Sequence, residues 1–392
     1  MAENKKTQLK KFILTESSKR IISNPNVFKQ TYTPDLIVER RETTDFYREI
    51  SVFINYRKPS HLIIKGFPGS GKTVTVNFLA DELKKEKQDI EVFTENCSAK
   101  SSVDVLQNLT KEFSTTNFQD LKKIFAERLS KDAIIILDEI DRSNIRIEDL
   151  LYFFSRPKEL IPDFNKNINL ILISNNFRWE EGLQDKTRSS LQLKPLIFAP
   201  YSVPQIINIL KSRTKKGFIN EKAISEELIK KIAEDTERIK KGDCRVAIET
   251  LFYAAQNAEM DGRDEIIEKD ITKALKISIE QADREKLTKL KDNQLLILYS
   301  MLYEDELTLT DAYKNYVEII KEENLPVKPV SKIMVFWILD ILENIGLIDK
   351  RIDMKKDIRG IPRRNIKIKL KVSHDIIFNE LSLRDLRLNH RD

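Results

Sequence analysis

The sequence predicts an α/β domain with a parallel sheet, followed by a small helical domain and a C-terminal winged helix. Three observations carry this expectation. Five short apolar runs, at residues 61–65, 90–96, 133–138, 169–174 and 195–198, alternate with helical patterns, the order of a parallel sheet covered by helices on both faces. From Pro200 to about residue 282 amphipathic helical segments, three or so, follow one another with no strand between them. Three apolar helical stretches at 293–303, 310–322 and 331–345 then lead into a basic loop and the alternating run Asn365-Ile-Lys-Ile-Lys-Leu-Lys-Val372, which reads as a β-hairpin. The boundaries that follow are a polar N-terminal tail over 1–22, a base domain over 23–199, a helical domain over 200–283 and a winged helix over 284–392. The charged run 284–292 reads equally as helix or linker.

The first strand, 61–65, opens onto Gly66-Phe67-Pro68-Gly69-Ser70-Gly71-Lys72-Thr73, and a helical pattern through Val76, Leu79 and Leu83 comes after it. Only nine glycines occur in the chain, so three within six positions mark a backbone that must bend sharply and approach something closely. Strand, G-x-x-x-x-G-K-[ST] and helix together form a P-loop, which wraps backbone N–H groups and a helix N-terminus around a phosphate. Lys72 supplies a point charge to the β and γ phosphates, and Thr73 a hydroxyl for Mg²⁺, which makes ATP/ADP and Mg²⁺ the expected cofactors.

The third strand, Asp132-Ala-Ile-Ile-Ile-Leu-Asp138-Glu139, is apolar until two carboxylates appear at its C-terminal end, where ligands of open α/β sheets bind. Asp138 reads as the partner of Mg²⁺ and Glu139 as the group that orients or activates the attacking water. The fourth strand ends in Ser174-Asn175-Asn176. An amide there could bond the γ-phosphate or the water, and asparagine is also a good turn residue after a strand. In the helical domain, Ser202-Val-Pro-Gln205 carries a serine N-cap and a proline in the first turn.

Composition narrows the function classes. The chain has 392 residues, 41% hydrophobic and 33% charged, with no stretch approaching the roughly 20 uncharged apolar residues of a spanning helix, so a soluble protein with no membrane partner is expected. Cys97 and Cys244 are far apart, and His61, His374 and His390 are isolated, which gives neither a disulfide framework nor a zinc cluster. The net charge of +6 is concentrated: residues 351–371 hold nine Lys/Arg and two Asp, so the rest of the chain sums to about −1. One basic segment on a balanced chain points to a polyanion partner, with a solvated basic loop as the alternative.

In the winged helix that segment is the hairpin. Arg351 precedes the loop, and Lys355, Lys356, Arg359, Arg363 and Arg364 surround a tip shaped by Gly360 and Pro362, suited to phosphate or minor-groove contact. Lys332, at the start of the preceding helix, would enter the major groove, while Val335, Phe336, Trp337, Leu339, Ile341 and Leu342 would fill the core. Winged helices also serve as protein-docking modules.

The series GFPGSGKT, IIILDEID, ISNN and GDCRVAIETLFYAA, ending in a winged helix, resembles the AAA+ initiators of the archaeal origin-recognition and cell-division-cycle family over residues 23–392. The resemblance implies that the helical domain is a lid, that Arg245 in it is a sensor touching the γ-phosphate, and that Asn175 is the first sensor. The residue reading of Arg245 alone is a helix-end arginine paired with Asp243 or Glu249. The resemblance further implies a DNA-contacting helix inserted over 145–164, where Arg156 and Lys158 are the cations. A trans-acting arginine finger would stand at Lys186 in Asp185-Lys-Thr-Arg-Ser-Ser-Leu191, with Arg188 two residues later; lysine lacks arginine's planar fork. The implied function is an ATP-dependent replication initiator that binds double-stranded origin DNA. It would act beside other initiator paralogues and help load the replicative helicase, with slow hydrolysis as a conformational switch, in the cytoplasm on the nucleoid. The alternatives are a DNA-binding regulator that retains nucleotide structurally, and a ring-forming AAA+ motor or chaperone ATPase.

Overall fold

The computed structural model describes residues 20–35, 38–86, 89–143, 147–302, 304–356, 362–384 and 386, with the backbone alone at 352–356 and 362–365. Two compact units emerge, one formed by residues 35–200 with 282–392 and the other by residues up to 34 with 201–281.

The first unit opens with α1 (Arg41–Tyr56), β1 (Leu62–Gly66), α2 (Lys72–Glu86), β2 (Ile90–Asn96), α3 (Ser102–Thr110), α4 (Phe118–Arg128) and β3 (Asp132–Asp138). It continues through α5 (Ile147–Ser155), the single turn α6 (Pro157–Leu160), β4 (Ile168–Ser174), α7 (Asp185–Leu191) and β5 (Lys194–Phe198). The five strands form one parallel sheet in the order β2-β3-β4-β1-β5. Successive side chains of a strand leave opposite faces, and here both faces are covered. Ile63, Ile135, Leu137, Leu170 and Leu172 pack with Leu106, Phe125, Phe153 and Phe154 on one side. Leu62, Ile64, Ile134, Ile136, Ile171 and Ile173 meet Phe46, Ile50, Phe53 and Val76 on the other. Each such buried aliphatic side chain contributes about 1.5–3 kcal/mol, which is why the central strands β3 and β4 are near-continuous apolar runs that stop where the chain reaches the sheet's C-terminal edge. The expected inserted helix is broken: α5 stops at Ser155 and proline starts a separate turn at 157.

The second unit contains α8 (Val203–Gly217), α9 (Glu226–Lys240), α10 (Cys244–Met260) and most of α11 (Glu268–Thr288). Four helices replace the three or so expected, and α11 resolves the run from 284 as helix as far as Thr288. The tail boundary at 22 and the base boundary at 23 are also displaced, because residues 20–34 pack here. Ile21, Val27 and Phe28 are buried, the Ile21 and Ile22 N–H groups donate to Glu259 Oε1 at 2.6 and 2.8 Å, and Ser23 N–H donates to the Gly217 carbonyl at 2.8 Å. Gly217 is required here, since a Cβ would strike the Phe28 ring.

The chain returns to the first unit with α12 (Asp292–Tyr299), β6 (Leu307–Thr308), α13 (Leu309–Glu322), α14 (Lys332–Asn344), β7 (Ile348–Lys356), β8 (Pro362–Leu370) and α15 (His374–Leu383). Three helices precede the expected hairpin, and the antiparallel sheet β6-β8-β7 adds the two-residue strand β6 to it. Tyr316 anchors the core: its ring is fully buried, its hydroxyl donates to Asn293 Oδ1 at 2.6 Å, and it accepts the Val330 N–H at 3.0 Å. On α14 the core face is Val335, Ile338, Leu339 and Leu342. Trp337, expected inside, is 43% exposed, and Phe336 and Ile341 are half-buried. A helix that is apolar at every position from 333 to 339 gives no periodicity there from which to choose its inner face. Among the described residues no helix is long and apolar enough to cross a membrane.

Candidate active site

The C-terminal ends of β1, β3 and β4 bring the predicted residues together. β1 ends at Gly66, and Phe67, Pro68, Gly69, Ser70 and Gly71 form the loop before α2 starts at Lys72. Gly69 and Gly71 adopt φ of 73° and 83°, the left-handed region that suits glycine, and a Cβ on Gly66 would collide with the Phe198 carbonyl oxygen. From the start of α1, Arg40 clamps the loop, donating to the Ser70 carbonyl and, at 3.1 Å, to that of Ala199.

Lys72 is buried, and its Nζ donates to the carbonyls of Gly66 at 2.8 Å and Phe67 at 3.0 Å and to Asn175 Oδ1 at 2.8 Å. Asn175 is reached because β4 lies beside β1, and its N–H donates to Asp141 Oδ1 at 3.2 Å. Thr73 Oγ1 donates to Asp138 Oδ2 at 2.9 Å, and the Glu139 N–H donates to Asp138 Oδ1 at 2.8 Å. Burial raises the Asp138 carboxyl above the ordinary carboxylate range, against the lowering effect of the Thr73 hydrogen bond. A buried carboxylate beside a hydroxyl is a donor set of hard oxygens for a small divalent cation, and the Ser70 Oγ, buried without a protein partner, is a further polar atom available to a ligand. The cradle therefore fits a nucleotide phosphate with Mg²⁺.

Glu139 sits just past β3 with φ of 51°, a left-handed conformation that costs a non-glycine residue about 1 kcal/mol or more. Its Oε2 is 3.5 Å from Asn96 Nδ2, and its Oε1 faces Arg142 at 3.6 Å and Lys289 at 3.8 Å. Asn96, in register with Asp138 at the end of β2, and Asp141, in the turn Ile140–Arg142 that follows β3, were not anticipated from sequence. Nor was Lys65, whose buried Nζ donates to the Phe177 carbonyl at 2.8 Å and pairs with Glu180, tying β1 to the segment after Asn175. The rings of Phe67 and Phe177, 5.4 Å apart, make a second tie.

The other predicted residues stand on other elements. Arg245 belongs to the second unit, where its Nε and NH2 meet the two carboxylate oxygens of Asp243 at 3.1 and 2.9 Å. Lys186 and Arg188 are exposed on α7; Lys186 Nζ lies 4.3 Å from the Tyr152 ring centroid, and Arg188 donates to Asp185 at 2.7 Å. Arg156 is held by Glu159 and Ser190, both at 2.9 Å. Lys332 is exposed and donates to Thr310 Oγ1 at 2.9 Å, and Arg351 is exposed on β7. Arg359 lies outside the described residues, and Arg363 and Arg364 are placed only by backbone, opposite Lys355 and Met354 in the β7–β8 ladder.

Comparison with known proteins matches residues 55–180 to an AAA domain and residues 207–276 to the Cdc6 AAA+ ATPase-type lid domain. The chain is 30% identical over 302 residues to ORC1-type DNA replication protein 1 of Methanosarcina mazei, covering 72% of this chain and 71% of that one. It is 27% identical over 364 residues to the ORC1-type DNA replication protein of Thermococcus onnurineus, covering 86% of each. Among solved structures, its fold is similar to that of the Aeropyrum pernix ORC1 protein in complex with DNA, at a TM-score of 0.67 and 22% identity over 93% of this chain and 97% of that one. The Aeropyrum pernix ORC2 protein in its ADPNP–ADP complexes gives 0.65 at 20%, over 94% of this chain and 100% of that one. A P-loop whose lysine, threonine and strand-end carboxylates meet at one sheet edge thus stands in a chain matching this lineage through both its base and its lid, and the chain belongs to the family of ORC1-type DNA replication proteins.

Proposed function

We propose that the protein is a replication initiator that binds duplex origin DNA, hydrolyses ATP slowly as a conformational switch, and acts with paralogous initiators to recruit the replicative helicase. The observation that carries this reading is the convergence at one sheet edge of two hydrogen-bonded sets, Lys72 with Asn175 and Asp138 with Thr73 and the Glu139 N–H, in a chain of this family. The DNA complex of the Aeropyrum pernix ORC1 protein, similar in fold to this chain, supports duplex DNA as the partner.

The division of labour follows from the geometry. Phosphate oxygens carry more charge than the carbonyls now bonded to Lys72, so ATP would draw its ammonium onto the β and γ phosphates. Thr73 and Asp138 would hold Mg²⁺, whose chemistry when bound is neutralisation of charge on those phosphates. Glu139 orients the attacking water and accepts its proton, and Asn175, fixed by Asp141 and Lys72, supplies an amide to the water or the γ-phosphate. Arg245 is assigned to sensing the γ-phosphate. Lys186 or Arg188 would act across a subunit contact, and Arg156, Lys332, Arg351, Arg359, Arg363 and Arg364 are assigned to DNA.

The test separates binding from chemistry. Lys72→Ala should lose ATP affinity, whereas Glu139→Gln should bind ATP normally and lose turnover, because only the former acts on the ground state. An equal loss of binding in both would refute the assignment. Stoichiometric nucleotide retained by the wild type with no turnover would make the protein a regulator instead. Footprinting on origin DNA of the source organism tests the DNA half of the reading.

A further inference from the structure

Glu139 is held by a cation that does not belong to the ATPase sheet. Lys289 lies in the turn between α11 and α12, with its Nζ 3.8 Å from Glu139 Oε1 and 2.7 Å from Glu285 Oε1. That turn is built into the C-terminal core. Leu287 and Leu290 on either side of Lys289 are buried there, and Arg384, just past α15, donates to the carbonyls of Leu287 and Thr288 at 3.0 Å and of Leu290 at 2.5 Å. Lys289 therefore moves with that core, whereas Glu139 moves with β3.

A second contact joins the same two bodies. The Arg178 guanidinium, three residues beyond Asn175, lies 5.7 Å from the ring centroid of Trp337 on α14. Ile333 and Met334, one turn earlier, are 73% and 48% exposed, so this face of α14 is the one open to a ligand. Trp337 cannot both cover Arg178 and line a DNA groove. The sheet edge that carries Glu139 and the segment after Asn175 are thus linked to the C-terminal region at two points, Lys289 and Trp337 on α14, both through exchangeable contacts of a partly exposed kind.

We propose that Lys289 is a positioning residue that restrains Glu139 while α14 is stacked on Arg178, and that duplex DNA taken up by α14 releases both contacts together and frees Glu139 for hydrolysis. The proposal rests on the reading of Glu139 as the group that activates water. Its physical basis is geometric: Oε1 is engaged by Lys289 and Arg142 and Oε2 lies against Asn96, and a carboxylate held on both oxygens by protein groups has to leave them before it can take hold of a water. Removing one of the two cations leaves Oε1 with Arg142 alone and uncouples it from the C-terminal region.

The experiment uses the full chain. Lys289→Ala should raise basal ATP turnover about twofold to fivefold, the scale set by one partly exposed ion pair, with ATP affinity unchanged. A short random-sequence duplex should raise wild-type turnover and leave that of Lys289→Ala where it is, and Lys289→Arg should restore the wild-type response. A readout independent of turnover comes from Trp337, since the chain has two tryptophans and Trp179→Phe leaves only that one. Its emission should shift on titration with the duplex, and Arg178→Ala should show the shifted emission without DNA. Wild-type turnover and an intact DNA response in Lys289→Ala, beside an inactive Glu139→Gln, would overturn the proposal alone. Undiminished turnover in Glu139→Gln would sink the reading of Glu139 and the proposal with it. Emission that stays constant when DNA binds would remove the part assigned to α14.

Discussion

Replacing Lys65 by methionine should destabilise the base and slow hydrolysis through one buried pair. The Lys65 side chain is 6% exposed and that of Glu180 25% exposed, so the pair is largely withdrawn from water. Removing one member of a fully buried pair costs roughly 3–5 kcal/mol, mostly by stranding the other charge; the partial exposure of Glu180 brings the expectation for Lys65→Met to about 2–3 kcal/mol. The stranding is already half present, because Glu180 Oε2 is buried without a hydrogen bond. Glu180→Met should cost about as much by orphaning Lys65, whereas the double variant Lys65→Met/Glu180→Met should lose only about 1–2 kcal/mol, since two apolar chains replace two charges. Trp179, next to Glu180 in the turn Trp179–Gly182, is the local probe: its fluorescence during urea unfolding in a Trp337→Phe background reports this segment. Turnover should fall several-fold in each single variant with little change in ATP affinity, because Lys65 holds the segment after Asn175 rather than the phosphate loop's lysine. Costs for the two single variants that add within about 0.5 kcal/mol in the double would refute the reasoning.

Three further outcomes are expected. Burial lowers the His61 imidazole from 6.5 to about 4, so the folded chain binds fewer protons than the unfolded chain between those values. Stability should be fully present above pH 6.5 and decline by up to about 3 kcal/mol as pH falls toward 4, a slope that His61→Asn should flatten in urea titrations. If Lys186 holds the finger position, Lys186→Arg should raise turnover stimulated by DNA-dependent assembly more than basal turnover; stimulation lost in Arg188→Ala but kept in Lys186→Ala would move the role to Arg188. Arg363→Ala/Arg364→Ala should flatten the slope of log K against log[salt] for duplex binding by about two units, at roughly 0.9 per phosphate contact, and an unchanged slope would leave the basic hairpin a solvated surface.

What could be read from the sequence was what lies close along the chain. The glycines at 66, 69 and 71 and the apolar run ending at Asp138 are local patterns, and parallel pairing carries them to one edge whatever else the chain does. Asn96, Asp141 and Lys65 reach the site only because β2, β3, β4 and β1 are neighbours in a definite register, which no single segment encodes. Lys289 was invisible for a stronger reason: it lies 150 positions from Glu139, in a charged run where the helix ends one residue before it. The inner face of α14 was misjudged at Trp337 because every position from 333 to 339 is apolar, and β6 escaped notice because two residues cannot show alternation.

The hydrogen bonds from Ile21 and Ile22 to Glu259 span 238 and 237 residues, and this has a consequence for biosynthesis. At about 5–20 residues per second, a ribosome needs on the order of 10–50 s after making Ile21 before its partner has been polymerised. During that interval the five-stranded sheet, whose last strand ends at Phe198, has all its strands available, while Val27 and Phe28 wait without α8 and α10 to cover them. Residues 21–28 are therefore open to nascent-chain chaperones and proteases until those partners have been made. Deleting residues 20–34 should lower yield through failed maturation of the helical unit even though the segment contributes no residue to the phosphate cradle.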